Sequence, residues 1–452
     1  MTLAHRIGTN SLRALQTHAT RQIPVLAAAS PSLSGTMASA SSPPRIAIVG
    51  GGPAGLTMGA LLHKQRIPFT IFEFRPKPTE ADLAIPSGML DLHAGSGLDA
   101  IHESGVYDEF IKMTGECSQE YKVADKSGEP VFVHVGDGGR PEISRNNLYK
   151  LLLTKVPEEN IRWDHKLVSS SHAAPNSSAA AELDFGNGRK HEFDLVVGAD
   201  GAWSRVRHLL TDVRPHYTGT QVVTTTIRNI TGKYPHLAEL VGSGSYTALG
   251  NRQAVISQRG PMDSARLYLW LKSQDENYGV TSGLTSSPAS AAKQTLLESS
   301  EFLGGFGPKV KELVATACDE EALDNPNAGL DIRPLYTLPH GSSWEHRAGI
   351  TLVGDAAHLM LPNGEGVNQA MLDTMLLARL ITQAYGASKD AQGFRDQMET
   401  GVREFEAEMF KRAVETGKET DHLLGVMYGS DNAAQEMLAF FQQGGARDGE
   451  EK

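Results

Sequence analysis

The stretch GGGPAGLTMGALLHKQRIPFTIFEFRP, from Gly50 to Pro76, predicts how the fold begins. It overlaps RIAIVG, which starts at Arg45 and is a short β-branched run typical of a buried strand. LTMGALLHKQRI then has the apolar spacing of a helix, and PFTIFEF has the composition of a second strand. The order strand, glycine turn, helix and strand indicates a βαβ unit at the head of an α/β domain.

The glycines of this stretch match the pattern G-x-G-x-x-G. The first glycine permits a tight turn, the second lets backbone approach a pyrophosphate, and the third lets helix and strand pack closely. An acidic residue about 20 positions on can accept hydrogen bonds from ribose hydroxyls. The residues predicted to hold a dinucleotide are therefore Gly50, Gly52, Pro53, Ala54, Gly55 and Glu73. The pattern alone leaves NAD and FAD open, and glycine turns also occur for structural reasons.

The length, net charge and cysteine content of the chain exclude several classes of function. The 452 residues suffice for two domains, or for one large domain with an insertion. A formal net charge of −11 argues against a general affinity for nucleic acid or for anionic membrane. Cys117 and Cys318 lie far apart, so neither a disulfide framework nor a metal cluster is expected. The sequence holds no run of about 18 apolar residues, and we expect no transmembrane helix.

The first 44 residues differ from the rest of the chain. Residues 1–44 contain no Asp or Glu, while Arg6, Arg13 and Arg21 are spread among Ser, Thr, Ala and His. This composition is typical of a mitochondrial transit peptide. A disordered tail, or sequence upstream of an alternative start at Met37, fits equally. We therefore expect a cytoplasmic or a mitochondrial protein.

The strand pattern changes along the chain and predicts a discontinuous domain. Residues 45–216 and 331–385 carry the buried-strand and helix patterns of the cofactor-binding domain. Residues 217–330 are rich in strand patterns with two-residue alternation, which predicts an inserted antiparallel sheet that forms a substrate domain. Residues 386–443 predict a C-terminal helical region, with a break near Gly386 and Gly393. A helix is also predicted over residues 141–156, and loops are predicted over residues 170–181 and 281–293. The expected fold class is α/β, a Rossmann-like domain with an inserted antiparallel β-sheet and C-terminal helices.

Two later motifs identify the cofactor by resemblance. GADGAWSRVR, starting at Gly198, contains D-G-x-x-S-x-x-R, and GDAAHLMLPNGEGVNQAMLDT starts at Gly354. With the glycine turn, they resemble the single-component FAD-dependent monooxygenases of the para-hydroxybenzoate hydroxylase class. GMLDLHAGSG, PEISRNNL and GDAAHLM resemble its tetracycline-inactivating flavin monooxygenases in particular. The resemblance spans residues 45–374 and is weaker over the inserted sheet.

The resemblance implies a reaction. FAD would be reduced by NADPH or NADH and would use O2 to hydroxylate a small aromatic or enolic substrate, polyketide-like or xenobiotic, through a C4a-hydroperoxyflavin. No catalytic side chain is expected, because the flavin drives the chemistry. An oxidase or dehydrogenase that transfers no oxygen, or a non-catalytic flavin-binding redox protein, remains open. We expect a monomer or a weak dimer without nucleic-acid partners.

The resemblance also implies further site residues. Arg252 matches a substrate-facing arginine, and Arg207 is expected to hold a strand–helix corner by hydrogen bonds. One departure is Glu365, which stands where glutamine is common and would place a carboxylate near the flavin ring. A helix starting near Val367 would point its N-terminus at that ring and stabilise negative charge there. The remaining implied cofactor-binding residues are Asp91, Arg145, Asp200, Gly201, Asp355, Pro362, Gly364, Gly366 and Asn368.

Overall fold

The computed structural model describes residues 43–174, 177, 179–388 and 390–450. Apart from Pro43 and Pro44, the predicted tail or transit peptide lies outside the described residues. Part of the loop predicted over residues 170–181 also lies outside them. Within the described ranges, no helix is long and apolar enough to cross a membrane.

The strands of the described residues fall into four sheets. In chain order they are β1 (Ile46–Val49), β2 (Thr70–Phe72), β3 (Met89–Asp91), β4 (Glu120–Asp125), β5 (Pro130–Val135), β6 (Glu142–Ser144), β7 (Ile161–Arg162), β8 (Ser169–His172), β9 (Ala181–Asp184), β10 (Lys190–Phe193), β11 (Leu195–Gly198), β12 (His216–Ile227), β13 (Ser245–Gly250), β14 (Gln253–Gly260), β15 (Ser264–Lys272), β16 (Asp331–Thr337) and β17 (Ile350–Leu352).

Helices connect and cover these sheets. In chain order they are α1 (Pro53–Lys64), α2 (Glu80–Ala84), α3 (Gly97–Ser104), α4 (Tyr107–Lys112), α5 (Arg145–Leu153), α6 (Ile230–Lys233), α7 (Pro235–Val241), α8 (Tyr278–Thr281), α9 (Ala289–Glu298), α10 (Pro308–Asp324), α11 (Asp355–His358), α12 (Gly366–Ala387), α13 (Ala391–Tyr428) and α14 (Ala433–Glu450). Two short 3-10 turns lie at Glu158–Asn160 and Arg207–Leu209.

A parallel sheet of five strands, in the order β17-β11-β1-β2-β7, forms the centre of the first domain. Every residue of β1 and β11 is buried, as expected for strands covered on both faces. Helix α1 packs against α12, which also contacts α3 and α13. The predicted βαβ unit of β1, α1 and β2 is therefore present, and the α/β fold class is confirmed.

The second sheet orders its strands β16-β12-β15-β14-β13-β4-β5. Its neighbours pair antiparallel except β13 with β4, which are parallel. The two-residue alternation of β15 separates two faces: Leu267 and Leu269 pack under the helices α9 and α10, whereas Trp270 faces α13 and α14. One face therefore forms a core, and the other is left to line a cavity.

The proposed domain boundary at residue 217 does not match this sheet. The strands β4 and β5 belong to the second sheet, although they lie inside the range 45–216 that was predicted for the cofactor-binding domain. They join it because β4 pairs in parallel with β13, a contact between residues more than 100 positions apart that no local pattern signals. The strand β16 likewise falls in the predicted second segment of the cofactor domain but pairs with β12.

Several local expectations needed correction. The helix predicted over residues 141–156 begins only at Arg145, because Glu142–Ser144 pairs with β3 and Ser144 accepts a hydrogen bond from the Asn147 N–H at 3.2 Å. The loop predicted from Thr281 includes the start of helix α9. The break expected near Gly386 and Gly393 is present: α12 ends at Ala387, α13 begins at Ala391, and Asp390 caps α13 by accepting the Gly393 N–H at 2.8 Å.

One buried carboxylate joins the C-terminal helices to the first domain. Asp373 of α12 is fully buried and accepts hydrogen bonds from the Gly354 N–H at 3.1 Å and the Arg412 guanidinium at 2.7 Å. His358 Nε2 lies 2.6 Å from the same side chain. Burial opposes the charges, but the pairing holds the pKa of Asp373 below and that of His358 above their ordinary values. Asp373 thus fixes the turn after β17 against two long helices.

We predict that Asp373→Asn lowers the free energy of unfolding by about 3–5 kcal/mol, the cost of removing one partner from a buried ion pair. In the wild type, the pair's contribution is lost as pH falls through the lowered pKa of Asp373 or rises through the raised pKa of His358. Denaturant unfolding across pH measures both effects. Asp396→Asn, an exposed site on α13, is the control and should change stability by less than about 0.5 kcal/mol. Equal stability of the two variants would contradict this role.

Candidate active site

The glycine turn leaves an open cleft at the end of the central strand. Gly50 has φ +109°, and a side chain there would meet the Ala199 carbonyl, while a side chain at Gly55 would meet the Gly50 carbonyl. At Gly52 a Cβ would meet no described atom within 4 Å. The N-terminus of α1, with the free amides of Ala54 and Gly55, opens on the same space. This arrangement fits a pyrophosphate, as the motif predicted.

Glu73 is held at the end of β2 beside this turn. Its side chain is buried, and its Oε2 accepts a hydrogen bond from the Gly51 N–H at 2.6 Å. Its Oε1 accepts bonds from the Arg75 N–H and from the Arg75 guanidinium at 2.9 and 2.8 Å. The carboxylate is therefore held against the backbone of the glycine turn itself, beside the place where a ribose would lie.

Asp355 follows β17 and begins the short helix α11. Its side chain is exposed toward the cleft, and no described residue hydrogen-bonds its carboxylate. Desolvation in the cleft raises the pKa of this carboxyl. The nearby positive charges of His358, Arg145 and Arg207 act in the opposite direction but do not cancel this effect. A carboxylate free of protein partners at this position fits hydrogen bonding to a ribityl chain.

The D-G motif builds the corner behind Asp355. Arg207 is buried and donates hydrogen bonds to the carbonyls of Asp355 at 3.0 Å, Ala356 at 2.8 Å and Ala202 at 2.9 Å, which confirms its expected role. Asp200 Oδ2 accepts the Arg205 N–H at 2.7 Å, so this oxygen caps the turn. Oδ1 of Asp200 is buried without a partner among the described residues.

Hydrogen bonds hold the loop of residues 362–366 against β3. Gly364 has φ +92°, and a Cβ added there would lie 3.5 Å from Asp91 Oδ1. Asn368 is fully buried: its amide donates to the Asp91 carbonyl at 2.9 Å and the Gly364 carbonyl at 3.2 Å, and its Oδ1 accepts the His93 N–H. Gly366 begins α12, so the N-terminus of that helix lies at the loop. Pro362 and Gly364 border the cavity described below.

Charged side chains meet where this loop touches β3. His93 lies between two carboxylates, with Nε2 2.8 Å from Asp91 and Nδ1 3.2 Å from Glu365. Burial disfavours the imidazolium, but these partners raise the pKa of His93 to about 9. Burial alone would raise the pKa of Asp91, yet His93 and Arg140 hold it below its ordinary value. The negative charge expected from Glu365 is therefore paired with a positive one.

A cavity of about 700 Å³ extends from this cluster across the open face of the second sheet. Its inner end is polar and includes Asp91, Arg140, Glu142 and Arg145. Its outer end is apolar and is formed by side chains of β15, α13 and α14. Those side chains are Trp270, Leu424, Met427, Tyr428, Met437 and Phe441.

Two predicted contacts have different outcomes at this cavity. Arg145 lies at the start of α5 and lines the inner end, next to the Gly88 backbone. Arg252 lies in the hairpin turn between β13 and β14, is largely exposed and pairs with Asp431 at 4.0 Å. It is not among the residues that line the cavity. The expected substrate contact of Arg252 is therefore not supported, because its side chain points to solvent and Asp431 instead.

The sequence reasoning missed other residues of the site. No role in the site was assigned to His93, Glu142 or Arg266, although all three line the cavity. Glu142 stands in PEISRNNL and faces Asp91 across the β3–β6 pair, a juxtaposition visible only once the strands pair. The sequence of α14 contains no motif that indicates a cavity wall.

A dinucleotide cleft that opens beside a separate cavity with an apolar end is the arrangement of a flavoprotein oxidoreductase. The family described as FAD binding domain matches residues 44–301. Monooxygenase penA of Penicillium thymicola is 34% identical over 87% of this chain and 97% of its own length. The chain belongs to this family of FAD-dependent monooxygenases, oxidoreductases whose cofactor is FAD.

Solved structures agree in fold. Klebsiella pneumoniae HpxO complexed with FAD and uric acid has a TM-score of 0.67 at 18% identity and matches 88% of this chain and 92% of its own. The tetracycline destructase Tet(55) has a TM-score of 0.56 at 17% identity, covering 87% of this chain and 97% of its own. These likenesses confirm the α/β architecture with its second sheet.

We predict that Gly52→Val abolishes FAD binding and leaves the fold intact. A Cβ at this position meets no described atom within 4 Å apart from its chain neighbours, so the new side chain would project into the open cleft and exclude the pyrophosphate. Flavin absorbance of the purified protein and circular dichroism measure the two effects. Gly386→Val, where a Cβ also meets open space but on the exposed side of α12, should keep its FAD. A yellow Gly52→Val protein would contradict the cleft assignment.

We predict that Asp355→Ala weakens FAD affinity about 5- to 150-fold, because a buried ribityl hydroxyl loses its acceptor at a cost of about 1–3 kcal/mol. Asp355→Asn keeps an oxygen and should lose less. Titration of FAD into apoprotein measures both. If the carboxylate only stabilised α11, both variants would lose thermal stability while FAD affinity stayed at the wild-type value.

Proposed function

We propose that the protein uses NADPH or NADH and O2 to hydroxylate a small aromatic or enolic molecule held in the 700 Å³ cavity. One oxygen atom would enter the substrate, the other would leave as water, and the nicotinamide would supply two electrons. The observation that carries this proposal is the position of the cavity. It begins at the glycine loop of residues 362–366, beside which the family's cofactor would lie, and ends in an apolar wall.

The described residues fit FAD along the whole cleft. The glycine turn and α1 would hold the pyrophosphate, Glu73 the adenosine ribose and Asp355 the ribityl chain. Asp91, Arg145 and the loop containing Gly364 would border the flavin ring. When bound, reduced FAD supplies the reaction with O2 and the transfer of one oxygen atom to the substrate.

The apolar end of the cavity would exclude water from the reacting atoms. Trp270 and Tyr428 stack with ring centroids 5.3 Å apart and an interplanar angle of 13°. Phe441 of α14 extends the same wall and stacks on Phe132 at 4.6 Å. Flat apolar surfaces of this kind bind aromatic rings by offset stacking. A substrate ring held between this wall and the loop of residues 362–366 would have a fixed orientation and would be shielded from water.

The polar end would stabilise the negative charge that reduction places on a flavin. The N-terminus of α12 begins at Gly366 and carries partial positive charge. His93, whose pKa of about 9 keeps it protonated at neutral pH, adds a full charge beside Glu365. Arg140 and Arg145 line the same end. These three positive side chains outnumber the carboxylates of Asp91 and Glu365, so the local charge would favour reduction of the flavin.

We predict that turnover of an accepted substrate under isotopically labelled O2 adds one labelled oxygen atom to the product and consumes one NAD(P)H. The substrates to test are naphthols and hydroxybiphenyls, whose rings fit the apolar wall. Mass spectrometry of the product measures the label, and the Gly52→Val protein is the control without FAD. Nicotinamide oxidation that yields hydrogen peroxide and no labelled product with any compound would indicate an oxidase instead.

A further inference from the structure

The second sheet ends in a strand whose outer edge is open. Strand β5 is last in the order β16-β12-β15-β14-β13-β4-β5, and among the described residues it pairs only with β4. The Gly136 N–H, just after β5, donates a hydrogen bond to the Gln119 carbonyl at 3.0 Å, which continues this pairing. Because backbone groups alternate in direction along a strand, those of Val133 and Val135 point away from β4. The N–H and C=O groups of these two residues can therefore bond another strand.

The cavity-side face of β5 is covered, and its opposite face is not. Phe132 stacks on Phe441 of α14 with ring centroids 4.6 Å apart. The side chains of Val133 and Val135 point to the opposite face and are 52% and 67% exposed. The strand, PVFVHV, contains no Lys, Arg, Asp or Glu, and its only proline, Pro130, is its first residue. An exposed apolar strand at the edge of a sheet is a template for pairing with another chain.

The opposite edge of the same sheet is protected against such pairing. Strand β16 contains Pro334, which has no N–H to donate. It also carries the exposed side chains of Asp331 and Arg333, which form an ion pair at 2.7 Å. Charges and proline are features with which edge strands avoid pairing with other chains. Since β5 lacks both beyond its first residue, it is the edge of this sheet that can accept a partner.

A second copy of the chain matches the open edge of β5. The row of donors and acceptors on an edge strand is complementary to itself when two such strands run antiparallel about a two-fold axis. An axis through His134 would pair Val133 of one copy with Val135 of the other, so that both outward residues of both copies are bonded. The two edges are then used up, and the assembly closes at two chains.

The register centred on His134 also keeps like charges apart. Residues 129–139 contain two carboxylates, Glu129 and Asp137, and no lysine or arginine. Residues at equal distances from His134 face each other across the axis, so Glu129 of one copy lies opposite Gly139 of the other, and Asp137 lies opposite Val131. Like charges directly opposite each other destabilise a strand pair, and this register opposes neither carboxylate with another.

We propose that the protein forms a dimer with two-fold symmetry in which the β5 strands of two copies pair antiparallel along this edge. The second sheets of the two copies would become one continuous sheet. The interface is additional to the proposed monooxygenase function and does not depend on it. Because the shared strand is only 6 residues long, we expect the dimer to be weak and to dissociate at micromolar concentrations.

The experiment measures the mass of the full-length, FAD-loaded protein by sedimentation velocity from about 1 to 100 µM. We expect the wild type to shift from one chain to two across this range. Hydrogen exchange at both ends of the range should show that the amides of Val133 and Val135 become protected as the dimer forms.

Two variants remove the edge without removing a bond to β4. Val133→Pro deletes an outward N–H, and Val133→Lys places a charge on the exposed face. Each should raise the dissociation constant of the dimer about 10-fold or more. Val280→Lys is the matched control, because Val280 is 71% exposed and lies on α8, which contacts the protected strand β16. FAD content and circular dichroism establish that each variant is folded.

A cross-link tests the register. His134→Cys would bring two thiols together across the axis, so mild oxidation should convert the dimer to a covalent one. The native thiols of Cys117 and Cys318 are buried and should not contribute. Val280→Cys, on an exposed surface away from β5, should stay uncross-linked under the same conditions.

The other outcomes contradict the proposal. A wild type that remains a single chain at about 100 µM would overturn it. A dimer that persists unchanged in both Val133 variants would place the interface elsewhere. Protection of Val133 and Val135 that does not depend on concentration would mean that another part of the same chain, such as residues 1–42, covers the edge.

Discussion

The buried carboxylate of Asp373 is the interaction on which the site depends. It accepts hydrogen bonds from the backbone of Gly354 and the guanidinium of Arg412, and His358 Nε2 lies 2.6 Å away. These partners come from the turn after β17, from α11 and from α13. The same helix, α12, carries Asn368, whose amide ties the glycine loop to β3. One helix therefore sets the spacing between the cofactor cleft and the cavity wall.

The parts of the site that the sequence predicted are those with local causes. The turn requires glycine at Gly50 and Gly55, because an added Cβ would lie 2.2 Å from the Ala199 carbonyl oxygen and 1.9 Å from the Gly50 carbonyl oxygen, respectively. Glu73 is found because an acid at the end of the second strand has a fixed place relative to that turn. Asp355 and Asn368 follow from a short motif between a strand and a helix. Each of these can be recognised within about 25 residues of chain.

The parts that the sequence did not predict depend on contacts between distant segments. The membership of β4 and β5 in the second sheet follows from a parallel pairing with β13. The placement of Glu142 beside Asp91 follows from the pairing of β3 with β6 across 50 residues. The position of Arg252 was misjudged because motif similarity gives no information on where a hairpin turn projects. The wall formed by α14 arises from tertiary packing of an amphipathic helix whose sequence carries no ligand motif.

The order of the strands in the parallel sheet has a consequence for synthesis of the protein in the cell. The edge strand β17 and the loop of residues 362–366, which we propose borders the flavin ring, follow the whole second sheet in the chain. A growing chain emerges from the ribosome N-terminus first, so the glycine turn appears long before Asp355 and Asn368. Until the second sheet has been made, the nascent protein lacks Asp355 and the loop of residues 362–366, which we propose hold the ribityl chain and border the flavin ring. On this proposal, stable loading of the cofactor is a late event, and a chain truncated within the second sheet would lack Asp355 and the loop of residues 362–366.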